Sequence, residues 1–177
     1  MPEHVKKQMI IRKSYFHLFI LMLSSCLLYS TSAISEKPRH LDDLVGWREG
    51  SVTIQIQPNK SIEFEVLIAQ SNKERRQGLM HIESMKNNEG MLFIFDPERN
   101  VSMWMRNTPM TLDMIFINKK GRIINIAKNT TPYSTRGISS GGSIHRVLEI
   151  NGGLSDRMNI KNGDLVKLNL IEDHDEE

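Results

Sequence analysis

From Ser51 onward the chain alternates. Val52, Ile54 and Ile56 fall on one side, Thr53, Gln55 and Gln57 on the other, the period of a half-buried strand. Pro58, Asn59 and Lys60 are turn residues. Residues 62–69 then repeat the pattern, with Phe64, Val66 and Ile68 opposite Glu63 and Glu65. At Ser71 the period changes. Ser71 and Glu74 have the spacing of a capping box, which predicts a short helix to about Gln77 with Gly78 at its end. Further apolar runs at 91–95, 101–105, 112–117, 122–127, 144–150 and 165–171 read as strands, and residues 154–158 as one helical turn. Asp96 to Asn100 reads as a loop, and the polar stretch 128–143 as a long loop of the kind that is usually functional. Turn signals about every ten residues predict an all-β domain: a sandwich or barrel of about eight short, mostly antiparallel strands with one or two short helices.

The first 33 residues do not fit that domain. Lys6, Lys7, Arg12 and Lys13 precede an apolar run from Tyr15 to Tyr29, and Thr31, Ser32 and Ala33 follow it. This is the layout of a secretory signal peptide. Leu23-Ser24-Ser25-Cys26 also resembles a lipoprotein box, so the leader is either cleaved near Ala33 or lipidated at Cys26. Residues 34–50 read as a linker that docks through Leu41, Leu44 and Trp47, 51–171 as a single β-rich domain, and 172–177 as an acidic tail. The expected location is therefore periplasmic or secreted, with membrane contact only through the leader.

Cys26 is the chain's single cysteine, so the domain has no disulfide framework or thiol nucleophile. The formal net charge is +2. Four basic residues and one acid precede Glu36, leaving 19 basic against 20 acidic residues and a net of −1. A near-neutral domain does not point to nucleic acid as partner. No cofactor or metal is expected, and the domain is expected to be a monomer.

The least generic stretch is 101–118. It reads as two apolar strands around a polar corner of Arg106, Asn107 and Thr108, with Trp104 before it and one acid, Asp113, after it. Alternation puts Asp113 in register with Ile115 and Ile117, so burial is expected, and a buried carboxylate needs donors or a cation. Arg106, Asn107 and Thr108 are the expected suppliers. Two roles remain open for Asp113: a lock on the corner, or an acid in a polar pocket. The pocket role requires Asp113→Asn to abolish binding with little loss of stability. Glu149 is a second acid in an apolar strand; if it converged on Asp113, the pair could do acid–base work.

Other motifs are weaker. Gly137-Ile138-Ser139-Ser140-Gly141 matches a nucleophile-elbow string but lacks the strand–helix context and the later acid and histidine. His81 and His145 stand in no metal-ligand spacing. Met103, Met105 and Met110 surround the corner; core packing is the default for Met, with a thioether copper site the alternative.

Five segments in order resemble the domain of unknown function 192 family. They are Arg76 to Met80, Glu89 to Phe95, Met103 to Thr108 with Leu112 to Phe116, Val147 to Glu149, and Gly163-Asp164. Ile82 stands where the family often has a basic residue, and Thr111 where it commonly has Pro. The resemblance implies a compact β-rich fold and brings no assigned reaction. The functional expectation is an exported β-domain that binds a small polar ligand or an envelope partner through Trp104, Arg106, Asn107, Thr108, Asp113 and Glu149, with 128–143 as a cover. A hydrolase using Asp113 and Glu149, and a secreted interaction module, are the alternatives.

Overall fold

A computed structural model describes residues 39–170. The leader with Cys26 and the acidic tail lie outside the described residues. Seven strands form one sheet in the order β5-β4-β6-β3-β2-β1-β7. They are β1 (Arg48–Gln57), β2 (Lys60–Ala69), β3 (Glu89–Met103), β4 (Leu112–Ile117), β5 (Ile123–Ala127), β6 (Ile138–Asn151) and β7 (Leu165–Leu170). Only β2 and β3 run parallel; every other neighbouring pair is antiparallel. The β2–β3 crossover carries helix α1 (Asn72–Gln77). Helix α2 (Leu154–Arg157) follows β6.

The sheet curls until its two edges approach. Arg122 bridges Leu165, and the Val166 amide donates to the Gly121 carbonyl at 2.8 Å. The result is a β-dominated half-barrel, in line with the expected class. Alternation divides its apolar side chains between two cores. Ile54, Phe64, Leu92, Ile115, Leu148 and Ile150 fill the inner face. Met91, Phe93, Met114, Phe116 and Val147 line the outer face, which α1 and the chain after it cover with Leu79, Ile82 and Met85. Burying two faces of the central strands explains why β4 is buried at all six positions and reads as an unbroken apolar run.

Two expectations change. Asp96 to Asn100 is part of β3, a 15-residue strand with irregular pairing on either side of Arg99. The stretch 101–118 is also no hairpin. The end of β3 pairs with β6, and β6 lies between β3 and β4. Alternation identifies a strand and its faces, but a partner from 40 residues away leaves no local trace. Likewise only 128–137 is loop, because β6 begins at Ile138. Ser139 thus lies in a strand rather than at an elbow, and Ser140 donates to the Gly142 carbonyl at 2.6 Å.

The predicted capping box is present. Ser71 Oγ accepts from the Glu74 amide, and Glu74 accepts from the Ser71 amide at 2.6 Å. Leu41 and Leu44, ahead of β1, are buried in the outer core.

Candidate functional site

Asp113 and Glu149 do not converge. Asp113 is opposite Ile150 in the β4–β6 ladder and Glu149 opposite Met114. Directly paired residues share a face and successive residues alternate. Asp113 therefore points into the inner core and Glu149 to the outer one. The convergence on which an acid–base pair depended is therefore absent from the sheet.

Asp113 is 0% exposed and fully used. Its Oδ1 accepts from the amides of Asn129 (2.8 Å) and Gly153 (3.0 Å). Its Oδ2 accepts from the amide (2.9 Å) and hydroxyl (2.6 Å) of Ser155. Burial opposes ionisation, but the Ser155 hydroxyl and the three amides outweigh it and hold the carboxyl below its ordinary range. Gly153 is the N-cap of α2 and has no side chain to cap it; Asp113 supplies that function from another strand. It ties together the β5–β6 loop, the end of β6 and α2. The suppliers expected from the sequence, Arg106, Asn107 and Thr108, make none of these bonds.

Those three residues build a different structure. The Thr108 amide donates to the Met105 carbonyl at 3.1 Å, closing a turn in which Asn107 has φ +55°. Asn tolerates this left-handed region better than most residues. His81 (φ +65°) donates its amide to Asn107, and Tyr133 (φ +59°) donates its amide to Thr108. Three non-glycine residues in the left-handed region thus meet at one corner, an uncommon concentration of strain of the kind found at functional sites. Met105 is buried there, and its sulfur accepts from the Thr130 hydroxyl at 3.1 Å.

Beside this corner lies a cleft of about 170 Å³ between α1, β3 and β6. Trp104, Arg106 and Thr108 line it from the corner, and Arg75, Arg76 and Met80 from α1 and the chain that follows. Phe93 and Met103 form apolar wall, and Glu149 reaches it from β6. Gly78 (φ +46°) makes the close fit possible, since a Cβ there would meet the Phe93 ring at 3.0 Å. Arg75 is fixed as wall: it donates to the Gln70 and Ile94 carbonyls and to Asn72 Oδ1, and stacks over Phe95. Arg76 and Arg106 are exposed at the rim and make no ion pair or side-chain hydrogen bond with the described residues. Trp104 is 47% exposed beside them.

Glu149 is the unusual member. It is 3% exposed, and no donor or cation among the described residues meets its carboxyl. Burial alone pushes its pKa up to about 8. At neutral pH it is a carboxylic acid, able to donate as well as accept.

Of the six residues singled out from the sequence, the cleft gathers Trp104, Arg106, Thr108 and Glu149. Asn107 shapes the corner behind it, and Asp113 is on the other face of the sheet. Arg75, Arg76 and the walls Phe93 and Met80 escaped the residue-level reading, although Arg76 to Met80 opened the family resemblance. Ile82 is buried in the outer core and does not line the cleft.

A second cluster was not legible in the sequence. His40, Asp42 and Glu89 each bring one ligand atom within 4.8 Å of the others. The Lys86 ammonium lies 2.6 Å from Glu89 and 3.3 Å from Asp42, and so supplies the positive charge that a metal would bring.

Fold and cleft define a small β half-barrel with a polar-floored pocket under its first helix. The chain belongs to the DUF192 family, described as an uncharacterized ACR, whose model matches residues 53–168. A Sinorhizobium meliloti 1021 protein, proposed by its description to be a transcription regulator, has a similar structure at TM-score 0.68 and 35% identity; the match covers 70% of this chain and 96% of that one. A Novosphingobium aromaticivorans DSM 12444 protein of unknown function matches at TM-score 0.68 and 36% identity, over 70% of this chain and 88% of its own. No curated protein matches the chain. Four of the five stretches that carry the family resemblance contribute residues to the cleft.

Proposed function

We propose that the protein is a binding module that holds a small polar molecule in the cleft beneath α1. The observation that carries this reading is Glu149: a largely buried carboxyl with no partner among the described residues, at the floor of a cleft. Its side chain lines the cleft, where a ligand can bond to a group that burial has largely stripped of water. Exposed Trp104, with the guanidiniums of Arg76 and Arg106 that bond to none of the described residues, supports the same reading. About 170 Å³ is below the usual range for drug-sized ligands and suits a molecule about the size of a single aromatic ring. Asp113 has no part in binding; its bonds make it the structural lock.

The separation of Asp113 from Glu149 removes the basis for a hydrolase reading. The S. meliloti description does not extend to this chain as a nucleic-acid reading, because the residues from Glu36 onward net −1. The leader's layout supports an exported protein that meets its ligand in the periplasm or outside the cell.

The reading is tested by amide chemical-shift mapping with small carboxylates, amines and amides. Saturable shifts are expected at residues 75–80, 103–108 and 149, and little change around Asp113. Shifts scattered over the half-barrel, or none with any probe, would sink it.

A further inference from the structure

We infer that the ligand is a small organic carboxylate, its anionic oxygens held at the cleft mouth by Arg76 and Arg106, with the Glu149 carboxyl hydrogen-bonded to it at the floor. This rests on the binding reading above and adds the chemical class. Three cations share the cleft with Glu149: Arg75 and Arg76 from α1, and Arg106 from the 105–108 turn. The residues paired with Glu149 on β3 and β4 are Met91 and Met114, which are apolar. No other carboxylate lines the cleft.

Arg75 is already committed to two carbonyls and Asn72. Among the described residues, two cations therefore remain unpaired in a cleft whose one acid has its pKa raised to about 8. Such a site repels a cation and attracts an anion. A guanidinium fork fits the two oxygens of a carboxylate. The Phe93, Met103 and Trp104 walls suit a carbon skeleton rather than bare phosphate. An anion in the cleft also strengthens the hold of Glu149 on its proton, because ionising it would place two like charges in one desolvated space. Binding is then coupled to the protonated state of Glu149.

The test is calorimetric titration of the full chain with benzoate, benzamidinium, benzamide and inorganic phosphate, from about pH 6 to about pH 9. Benzoate should bind saturably. Its Kd should rise towards tenfold per pH unit once the pH passes the Glu149 midpoint of about 8. Arg106→Gln should weaken it about tenfold at every pH. Glu149→Gln removes the titrating group, so its profile should be flat whatever its absolute affinity. Benzamidinium binding that tightens with pH, or benzamide binding as well as benzoate, would overturn the anion assignment and leave the cleft as a binding site. Phosphate binding without benzoate would overturn the carboxylate. Binding of none of the four would overturn the cleft reading as well.

Discussion

Asp113→Asn is expected to lower stability by about 3 kcal/mol, which is roughly a 10 °C fall in melting temperature for a domain of this size. The amide keeps the shape of the side chain but replaces one acceptor oxygen with a donor. Either Gly153 and Asn129, or the two Ser155 donors, would then face an N–H in a site with no exposure. The charge is lost together with two of the four hydrogen bonds. The stabilisation has a defined pH window. The folded pKa lies below the ordinary value, so the contribution is present above the unfolded pKa and is lost as pH falls through the folded one. Wild type and variant should converge in strong acid. Ligand binding at the cleft should survive in the folded fraction. A melting temperature within a degree of wild type at pH 7 would show that Asp113 is not the lock described.

Glu149→Gln should act in the opposite direction. The wild-type folded pKa is raised to about 8, above the ordinary carboxylate value, so the folded state holds its proton longer than the unfolded chain does. Stability then falls as pH rises from the unfolded pKa to the folded one, by at most about 1.4 kcal/mol per unit. Glutamine has no proton to lose. The variant should match wild type near pH 4 and exceed it by about 3–4 kcal/mol at pH 8. The measurement is a series of denaturant melts across that range. A difference that stays constant with pH would mean that Glu149 is solvated or paired in the folded protein.

These two acids show what could be read from the sequence and what could not. Alternation placed both correctly with respect to their own strands, since Asp113 runs with Ile115 and Ile117 and Glu149 with Val147. The fold class, the capping box at Ser71 and Glu74, and the buried docking of Leu41 and Leu44 were legible for the same reason: each depends on residues a few positions apart. Which strands are neighbours depends on distant pairing. Inserting β6 between β3 and β4 turned an apparent hairpin into two separated strands and put the two acids on opposite faces. The donors to Asp113 are mostly backbone amides, which every residue carries, so no side-chain pattern marks them. Ser155 was the one visible clue, in a Gly-Gly-Leu-Ser turn two strands away. The cleft is similar. Trp104, Arg106 and Thr108 stood out locally, whereas Arg76 and Phe93 join them only through the β2–β3 crossover.

At the floor of the cleft lies an acid with a raised pKa and no partner among the described residues. Its most direct measurement is a carbon-13 titration of the Glu149 carboxyl in the full chain, assigned with Glu149→Gln. A midpoint near 8 that moves higher when benzoate is added is the predicted result. A midpoint near the ordinary value of 4.5, unmoved by benzoate, would contradict it.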